Sequence, residues 1–226
     1  MSRLPTQTLR AKGFIFDLDG TMIDTTPLVE RHWRTFAAEH GLDADKILAT
    51  SHGRRTIETL ELWTPHLAKQ EIAEGFEREL AKQSDGLSVL PGVRAMLEKI
   101  PTDRYGIFTA ANRHMAEIRL KQCNLDIPKV MATGDTVSRG KPDPEGCFTV
   151  ATALQVNPRD CLVFEDSPHG IAAAREAGMQ SIGCTTTHTV DQLKKAGATQ
   201  VVSYFTDVDI TLLPDGTFEL TITNAL

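Results

Sequence analysis

The stretch GFIFDLDGT, residues 13–21, sets two aspartates directly after a short apolar run. Phenylalanine and isoleucine in such a run predict a buried strand. Asp17 and Asp19 then place like charges close together, and such carboxylates need a cation, a proton or abundant water to coexist. The stretch therefore predicts a strand whose carboxyl end holds two closely spaced carboxylates, as a functional site would. A simple turn is the alternative, because Asp and Gly are common turn residues.

Further along the chain, short apolar runs alternate with helical patterns. The predicted strands cover residues 105–108, 130–132, 161–164 and 181–184, and the predicted helices lie near 112–123, 144–154 and 168–177. Such alternation is typical of an α/β fold in which helices cover both faces of a parallel sheet. Ligands bind such sheets at the carboxyl ends of the strands, which is where Asp17 is expected.

Residues 25–90 have a different pattern, because helix-like stretches follow one another without a convincing strand. These stretches cover 28–40, 43–49, 54–63 and 68–83. We therefore expect residues 25–90 to form a helical domain inserted into a core made of 1–24 and 91–226. Within this core, alternating runs at 207–213 and 217–222 flank Pro214-Asp215-Gly216 and predict a C-terminal β-hairpin.

The composition argues against nucleic-acid and membrane partners. The net charge of −6 argues against a nucleic-acid partner, because binding to phosphate backbones needs a basic surface. The sequence has no apolar run of about 20 residues, so no membrane partner is expected. Its first ten residues lack the apolar centre of a signal peptide, and its four cysteines are scattered, as expected for free thiols in a reducing compartment. We therefore expect a cytoplasmic protein.

The aspartate pair suits phosphoryl transfer. A carboxylate such as Asp17 can attack phosphorus and form an aspartyl-phosphate. Asp19 is two residues further on, on the same side of an extended backbone, and could protonate the leaving oxygen and later deprotonate water. A hard divalent ion such as Mg²⁺ takes oxygen ligands and fits two crowded carboxylates.

Three later positions supply what that chemistry also needs. Thr109 follows a predicted strand and could hold phosphate oxygens together with backbone N–H groups, although a strand-end threonine is more often a helix cap. Lys141 lies in the Gly/Pro-rich loop RGKPDP, residues 139–144, which favours a fixed cation for a transferring phosphoryl group. Glu165-Asp166 ends another apolar strand and could complete a metal site with Asp17. Helix capping is the alternative for Asp166 and Ser167.

Together these positions resemble the motifs of the haloacid dehalogenase superfamily, in matching order over about residues 13–200. The stretch VFEDSPHGIAAAREAGM, residues 163–179, is similar to the phosphoglucomutase-like branch with a helical cap. SHGRRT at 51–56 and the tail TFELTI at 217–222 are similar to fungal glycerol-phosphate and 2-deoxyglucose-6-phosphate phosphatases. The resemblance implies a Rossmann-like core with an inserted helical cap, and a Mg²⁺-dependent phosphatase for small sugar or polyol phosphates. We expect it to act as a monomer, since a closing cap needs freedom to move.

The same resemblance implies individual roles. Asp17 would be the nucleophile and a metal ligand, and Asp19 the general acid/base, with its carbonyl on the metal. Asp166 would be a further metal ligand, with Glu165 at the metal or just behind it, while Thr109 and Lys141 would hold the phosphoryl group. Residues implied on the substrate side are Gly20, Thr21, His52, Arg54, Arg55 and Asn112. One of the two arginines would reach the substrate and the other would lie in a surface ion pair, and His52 could equally be structural.

Departures from the family pattern bear on the alternatives. Related phosphatases often have Ser-Gly after the threonine, where this chain has Ala110-Ala111, which affects substrate fit. Mutases of this branch have a histidine twelve residues beyond the nucleophile, where this chain has Val29, which favours hydrolysis over a sugar phosphomutase. Asp19 counts against dehalogenation, and no cap lysine has the setting of a phosphonate hydrolase. A non-catalytic sugar-phosphate-binding regulator would be expected to lack one of the catalytic positions, and none is missing.

Overall fold

A computed structural model describes residues 6–226 of the chain. Its strands are β1 (Gln7–Ala11), β2 (Gly13–Phe16), β3 (Ile23–Asp24), β4 (Ser88–Val89), β5 (Tyr105–Phe108), β6 (Met131–Ala132), β7 (Cys161–Glu165), β8 (Gln180–Cys184), β9 (Gln200–Val202), β10 (Val208–Leu212) and β11 (Phe218–Ile222). Its α-helices are α1 (Thr26–His40), α2 (Ala44–Ser51), α3 (Thr56–Trp63), α4 (Gln70–Ala81), α5 (Val93–Leu97), α6 (Arg113–Gln122), α7 (Glu145–Ala153), α8 (Pro168–Glu176) and α9 (Val190–Ala196).

A six-stranded parallel sheet forms the centre of the fold, with the order β6-β5-β2-β7-β8-β9. The predicted α/β fold with a parallel sheet is confirmed. β2 lies between β5 and β7, and Phe16 pairs in register with Ile107 on one side and Phe164 on the other. The three strands therefore end side by side, which brings the residues that follow them to one edge of the sheet.

Both faces of β2 are buried, as expected for a central parallel strand. Phe14 and Phe16 pack into one hydrophobic cluster, and the rings of Phe16 and Phe164 stack with centroids 4.7 Å apart. Ile15 points to the other face, into a cluster with Val150 of α7 and other residues. This two-sided burial explains why the run has no polar alternation.

In the region of the predicted C-terminal hairpin, β10 and β11 pair as antiparallel strands. β11 also pairs with β1, so these strands form a separate three-stranded sheet. β1 was not predicted. Its sequence, QTLRA, has only two apolar residues, and its partner lies some 200 positions away along the chain.

The helices α1 to α4, which we call the helical segment (residues 26–81), have a hydrophobic cluster of their own that includes Trp33, Ile47 and Leu60. Local signals explain where they begin and end. Gly41 follows α1 with a φ of 65°, and the Asp43 side chain accepts hydrogen bonds from two backbone N–H groups at the start of α2. The predicted boundaries of a separate helical domain stay a prediction.

Two further features bear on the sequence-based expectations. All four cysteines are free and buried, in agreement with the interpretation as isolated thiols. None of the helices within residues 6–226 combines the length and the apolar content that crossing a bilayer requires.

Candidate active site

Three neighbouring strands deliver the predicted catalytic residues to one edge of the sheet. Asp17 follows β2, and Thr109 follows β5. Glu165 is the last residue of β7, and Asp166 follows it. Backbone hydrogen bonds continue the ladder past the strand ends, from Asp17 N–H to the Phe164 carbonyl at 3.0 Å and from Thr109 N–H to the Ala132 carbonyl at 3.1 Å. The backbone positions of these residues are therefore fixed by the sheet itself.

Lys141 joins this group from the loop before α7. Its ammonium group, which is almost completely buried, lies 2.5 Å from Asp17 Oδ1 and 2.5 Å from Glu165 Oε1. Burial lowers the pKa of Lys141, but the two adjacent carboxylates outweigh this and raise the pKa above its ordinary value. Lys141 is therefore a permanent, fixed cation beside Asp17.

Asp17, Glu165 and Asp166 form an acidic cluster in which one carboxylate oxygen of each lies within 4.8 Å of the others. All three side chains are buried. Burial raises the pKa of Asp17 to about 7 in spite of Lys141, and burial with the two neighbouring carboxylates raises the pKa of Asp166. A single ammonium group does not balance three buried carboxylates, and their oxygens are the donors that hard divalent cations prefer. The cluster therefore fits a divalent metal ion.

Glu165 is held tightly behind this cluster. Its Oε2 accepts hydrogen bonds from the backbone N–H groups of Asp166 at 2.7 Å and Ser167 at 2.6 Å. Its other oxygen faces Lys141. Glu165 therefore fixes both the lysine and the backbone that carries Asp166.

Two threonines and a glycine shape the position of Asp166. Thr21 donates to Oδ1 at 2.7 Å, and Thr187 donates to Oδ2. Gly20 has a φ of 84°, and a Cβ at this position would collide with the Asp166 carboxylate. Ser167, whose hydroxyl accepts from Gly170 N–H at 3.1 Å, is the cap of α8. The capping alternative thus applies to Ser167 and not to Asp166.

A cavity of about 100 Å³ lies between this strand edge and the helical segment. Its polar walls include the side chains of Asp17, Asp19, His52, Arg54, Glu77, Thr109 and Arg119, and its apolar walls include Val29, Trp33 and Phe76. Asp17, Asp19 and Thr109 therefore share one cavity with residues of the helical segment.

Asp19 has a different environment from Asp17. Burial raises the pKa of its carboxyl group, while the nearby charge of Arg119 and the hydroxyl groups of Thr25 and Thr109 act in the opposite direction. The Thr109 hydroxyl also accepts a hydrogen bond from Ala111 N–H at 3.1 Å. The two aspartates thus differ in their partners, as different proton-transfer roles would require.

The two arginines of the SHGRRT stretch have different surroundings. Arg55 forms an ion pair with Glu58 at 2.6 Å and does not line the cavity. Arg54 lines the cavity, and its buried Nε has no hydrogen-bond partner within residues 6–226. Contact between Arg54 and a substrate stays a prediction.

The other substrate-side residues lie in contrasting places. His52 lines the cavity, its ring centroid is 6.2 Å from that of His188, and burial lowers its pKa. Asn112 does not line this cavity. Its side chain accepts from Met115 N–H at 2.8 Å as the cap of α6, and its backbone N–H donates to Glu77. Their roles in binding stay predictions.

Sequence reasoning missed three residues of this region: Glu77, Arg119 and Thr187. Arg119 is 1% exposed and donates to the carbonyls of Leu80 at 2.8 Å and Gln83 at 2.6 Å. A signal for it exists, because Arg119 falls on the buried face of α6 at helical spacing from Met115 and Ala116. Glu77 and Thr187 gave no comparable signal.

The chain is similar to known hydrolases in sequence and in structure. The family model described as haloacid dehalogenase-like hydrolase matches residues 14–184. The chain is 32% identical to hexitol phosphatase A of Escherichia coli, over 92% of this chain and 98% of that protein. It is 31% identical to glycerol-1-phosphate phosphohydrolase 2 of Saccharomyces cerevisiae, over 86% and 83%. A hydrolase from Pseudomonas syringae has a similar structure, with a TM-score of 0.71 and 29% identity over 84% of this chain and 92% of that one.

Proposed function

Because the chain belongs to the haloacid dehalogenase-like hydrolase family, we propose that it hydrolyses phosphate monoesters of small sugars or polyols with Mg²⁺ through an aspartyl-phosphate. The resemblance drawn from the motifs is confirmed, and so is the enzyme class of phosphoric monoester hydrolase, by the family match and the phosphatase relatives. The substrate class is inferred from those relatives, which are named for hexitol and glycerol phosphates.

The observation that carries the proposal is the convergence of Asp17, Asp19 and Thr109 on one cavity, with Lys141 in contact with Asp17. A cavity of about 100 Å³ is well below the roughly 300–1,000 Å³ of pockets for drug-sized ligands, which supports a substrate of few atoms. The mixed apolar and polar walls would suit a short carbon chain that carries hydroxyl groups.

Asp17 and Asp166 would hold the metal through their carboxylates and Asp19 through its backbone carbonyl, with Glu165 beside them. Bound there, Mg²⁺ would offset the negative charge of the carboxylates and of the phosphoryl oxygens. The fit rests on the acidic cluster, whose buried carboxylates have, among residues 6–226, a single ammonium group as an ion-pair partner.

In the proposed reaction, the ionised Asp17 carboxylate attacks phosphorus, and the oxygen of the alcohol leaves. Asp19 gives that oxygen its proton, then removes a proton from the water that cleaves the aspartyl-phosphate. Lys141 and the Thr109 hydroxyl stabilise the charge on the transferring group, which is the main requirement of phosphoryl transfer. The helical segment, acting as a cap, would exclude bulk water.

Val29 favours hydrolysis over the mutase alternative. It lines the cavity at the place where the resemblance implies a histidine in mutases, and an aliphatic side chain cannot transfer protons. Hydrolysis is therefore a better proposal than sugar phosphomutase activity.

The test is a phosphate-release assay on a panel of esters that includes glycerol 1-phosphate, hexitol phosphates and 2-deoxyglucose 6-phosphate. We expect turnover of at least one of these with Mg²⁺ and loss of turnover when EDTA removes the metal. Hydrolysis that is unaffected by EDTA, or no hydrolysis of any ester, would contradict the proposal.

A further inference from the structure

Glu77 is a buried carboxylate to which the proposed mechanism gives no task. It lies on α4 and is 8% exposed. Its Oε1 accepts a hydrogen bond from the Thr56 hydroxyl at 2.8 Å, and its Oε2 accepts one from Asn112 N–H at 3.1 Å. Because Thr56 begins α3 and Asn112 caps α6, the carboxylate is fixed from two sides.

These two bonds do not use all of its acceptor capacity. A carboxylate has about four lone-pair sites, and a buried carboxylate with spare acceptors is costly unless they find donors. Within the described part of the chain, the Thr56 and Asn112 bonds are the hydrogen bonds that Glu77 makes. Glu77 also lines the cavity that contains Asp17 and Asp19. A donor in the cavity could therefore use the remaining sites.

The surrounding charges do not neutralise Glu77. No ion pair to it exists among residues 6–226. The guanidinium of Arg119, which lines the same cavity, donates to the Leu80 and Gln83 carbonyls and to Gln122 instead. Burial raises the pKa of Glu77, and the charges of Asp19 and Asp135 add to this. The Glu77 carboxylate therefore offers acceptors to a neutral hydrogen-bond donor in the cavity, and in its ionised form it repels an anion placed beside it.

We propose that Glu77 is a specificity-determining residue that accepts a hydrogen bond from a hydroxyl group on the alcohol part of the substrate. This inference rests on the proposed function and deepens it. The preferred substrates are phosphate monoesters of uncharged polyhydroxy compounds. Esters that carry a carboxylate or a second phosphate are disfavoured, because they bring a like charge to Glu77 without a donor.

The test compares three small esters that differ in the hydroxyl groups and charge of the alcohol part: glycerol 1-phosphate, n-propyl phosphate, which lacks both free hydroxyl groups, and the two-carbon phosphoglycolate, which has a carboxylate. For the wild type we expect kcat/KM for glycerol 1-phosphate to exceed that for propyl phosphate by about 10–100-fold, the range for a hydrogen bond to a charged group. In Glu77→Gln this ratio should fall through a lower glycerol 1-phosphate activity, because an amide oxygen accepts a weaker hydrogen bond than a carboxylate does. Phosphoglycolate should improve relative to glycerol 1-phosphate.

The ratio separates recognition from a structural role. If Glu77 only holds α4 against α3 and α6, Glu77→Gln lowers kcat/KM for glycerol 1-phosphate and propyl phosphate equally, and the proposal is wrong. Glu79→Gln is the matched control, since Glu79 lies on the same helix, is exposed and pairs with Lys82. Its ratio should equal that of the wild type.

Two further outcomes are decisive. If Glu77→Gln does not fold, as judged by circular dichroism, the wild-type ratio still tests the proposal, and a ratio near one overturns it. If the wild type hydrolyses none of these esters nor any ester of the wider panel with Mg²⁺, the proposed function fails and this inference with it. Hydrolysis of glycerol 1-phosphate without a preference over propyl phosphate refutes this inference alone.

Discussion

Asp17 is the residue on which the proposed chemistry depends most directly. Its carboxylate touches Lys141, lines the cavity and belongs to the acidic cluster. We expect Asp17→Asn to abolish turnover, because an amide is a poor nucleophile and a weaker metal ligand. Steady-state phosphate release measures this. Asp160→Asn, at an exposed carboxylate paired with Lys12, is the control and should retain wild-type rates. Full activity in a clean Asp17→Asn preparation would refute the nucleophile assignment.

Asp19 should give a different phenotype from its neighbour. Asp19→Asn cannot protonate the leaving oxygen or deprotonate water, so we expect kcat to fall by about 10²–10⁴-fold. Formation of the phosphoenzyme should persist slowly, because Asp17 is intact. Rapid-quench trapping of labelled protein measures that step. A variant with wild-type kcat would remove Asp19 from the role of general acid/base.

The sequence alone identifies those candidate residues that lie next to a recognisable local pattern. Asp17, Thr109 and Asp166 each follow an apolar run, and the sheet then brings them together. Glu77 and Thr187 could not be found in this way, since their partners lie 35 and 21 positions away and belong to other elements. Their significance arises from packing alone, and no local pattern encodes it.

At the scale of elements, side-chain hydrogen bonds connect α6 to the end of α4. Arg119 donates to the carbonyls of Leu80 and Gln83, and Gln122 donates to the carbonyl of Ala81 at 3.1 Å. Leu80 and Ala81 lie in the last turn of α4, where carbonyls lack the donor four residues further on, and Gln83 follows the helix. Leu80 also accepts from the backbone N–H of Gln83 at 3.1 Å. Two side chains of α6, Arg119 and Gln122, therefore stabilise the end of the helical segment.

Replacing Arg119 should destabilise the fold. We expect Arg119→Met to lower the free energy of unfolding by about 3 kcal/mol, since buried carbonyls lose charged hydrogen bonds. Urea denaturation measures this. Lys121→Met, at an exposed position of the same helix, should change the midpoint little. Equal midpoints for Arg119→Met and the wild type would show that α6 does not hold α4.

Prediction of the elements succeeded where the hydrophobic pattern was strong. The helices of the helical segment and the β10–β11 hairpin each carry a clear period, and turn residues mark their ends. β1, β3, β4 and the three-residue strand β9 were not predicted. The hydrogen bonds of β1, β3 and β4 depend on strands distant in sequence, and their residues carry little apolar signal. β9 is too short to show a period. α5 and α9 are short, with five and seven residues, and short helices owe their stability to packing.

At the scale of the whole molecule, the fold concentrates negative charge at one edge of the parallel sheet. The net charge of the chain is −6, and three of its carboxylates are buried together beside Lys141. Burying like charges costs stability, so the cluster is expected to be a site of strain unless a cation binds. Metal binding and folding stability should therefore be coupled.

The pH dependence of that coupling follows from the carboxylates. The pKa of Asp17 is raised to about 7 and that of Asp166 is raised as well, each first of all by burial. Near pH 5 Asp17 is mostly protonated in the metal-free protein, and a metal must displace that proton; near pH 8 Asp17 is mostly ionised and the displacement is smaller. Because the raised pKa means that the native state binds more protons than the unfolded state, stability without metal should fall as the pH rises from about 4 to 7.

We therefore expect Mg²⁺ to raise the melting temperature more at pH 8 than at pH 5, relative to samples with EDTA. NaCl at matched ionic strength controls for screening of surface charges and should not reproduce the increment. In Asp17→Asn the increment at pH 8 should be much smaller, because one carboxylate ligand is lost. An equal increment at both pH values would show that these carboxylates do not take up protons in competition with the metal, and no increment at either pH would contradict a metal site at this edge of the sheet.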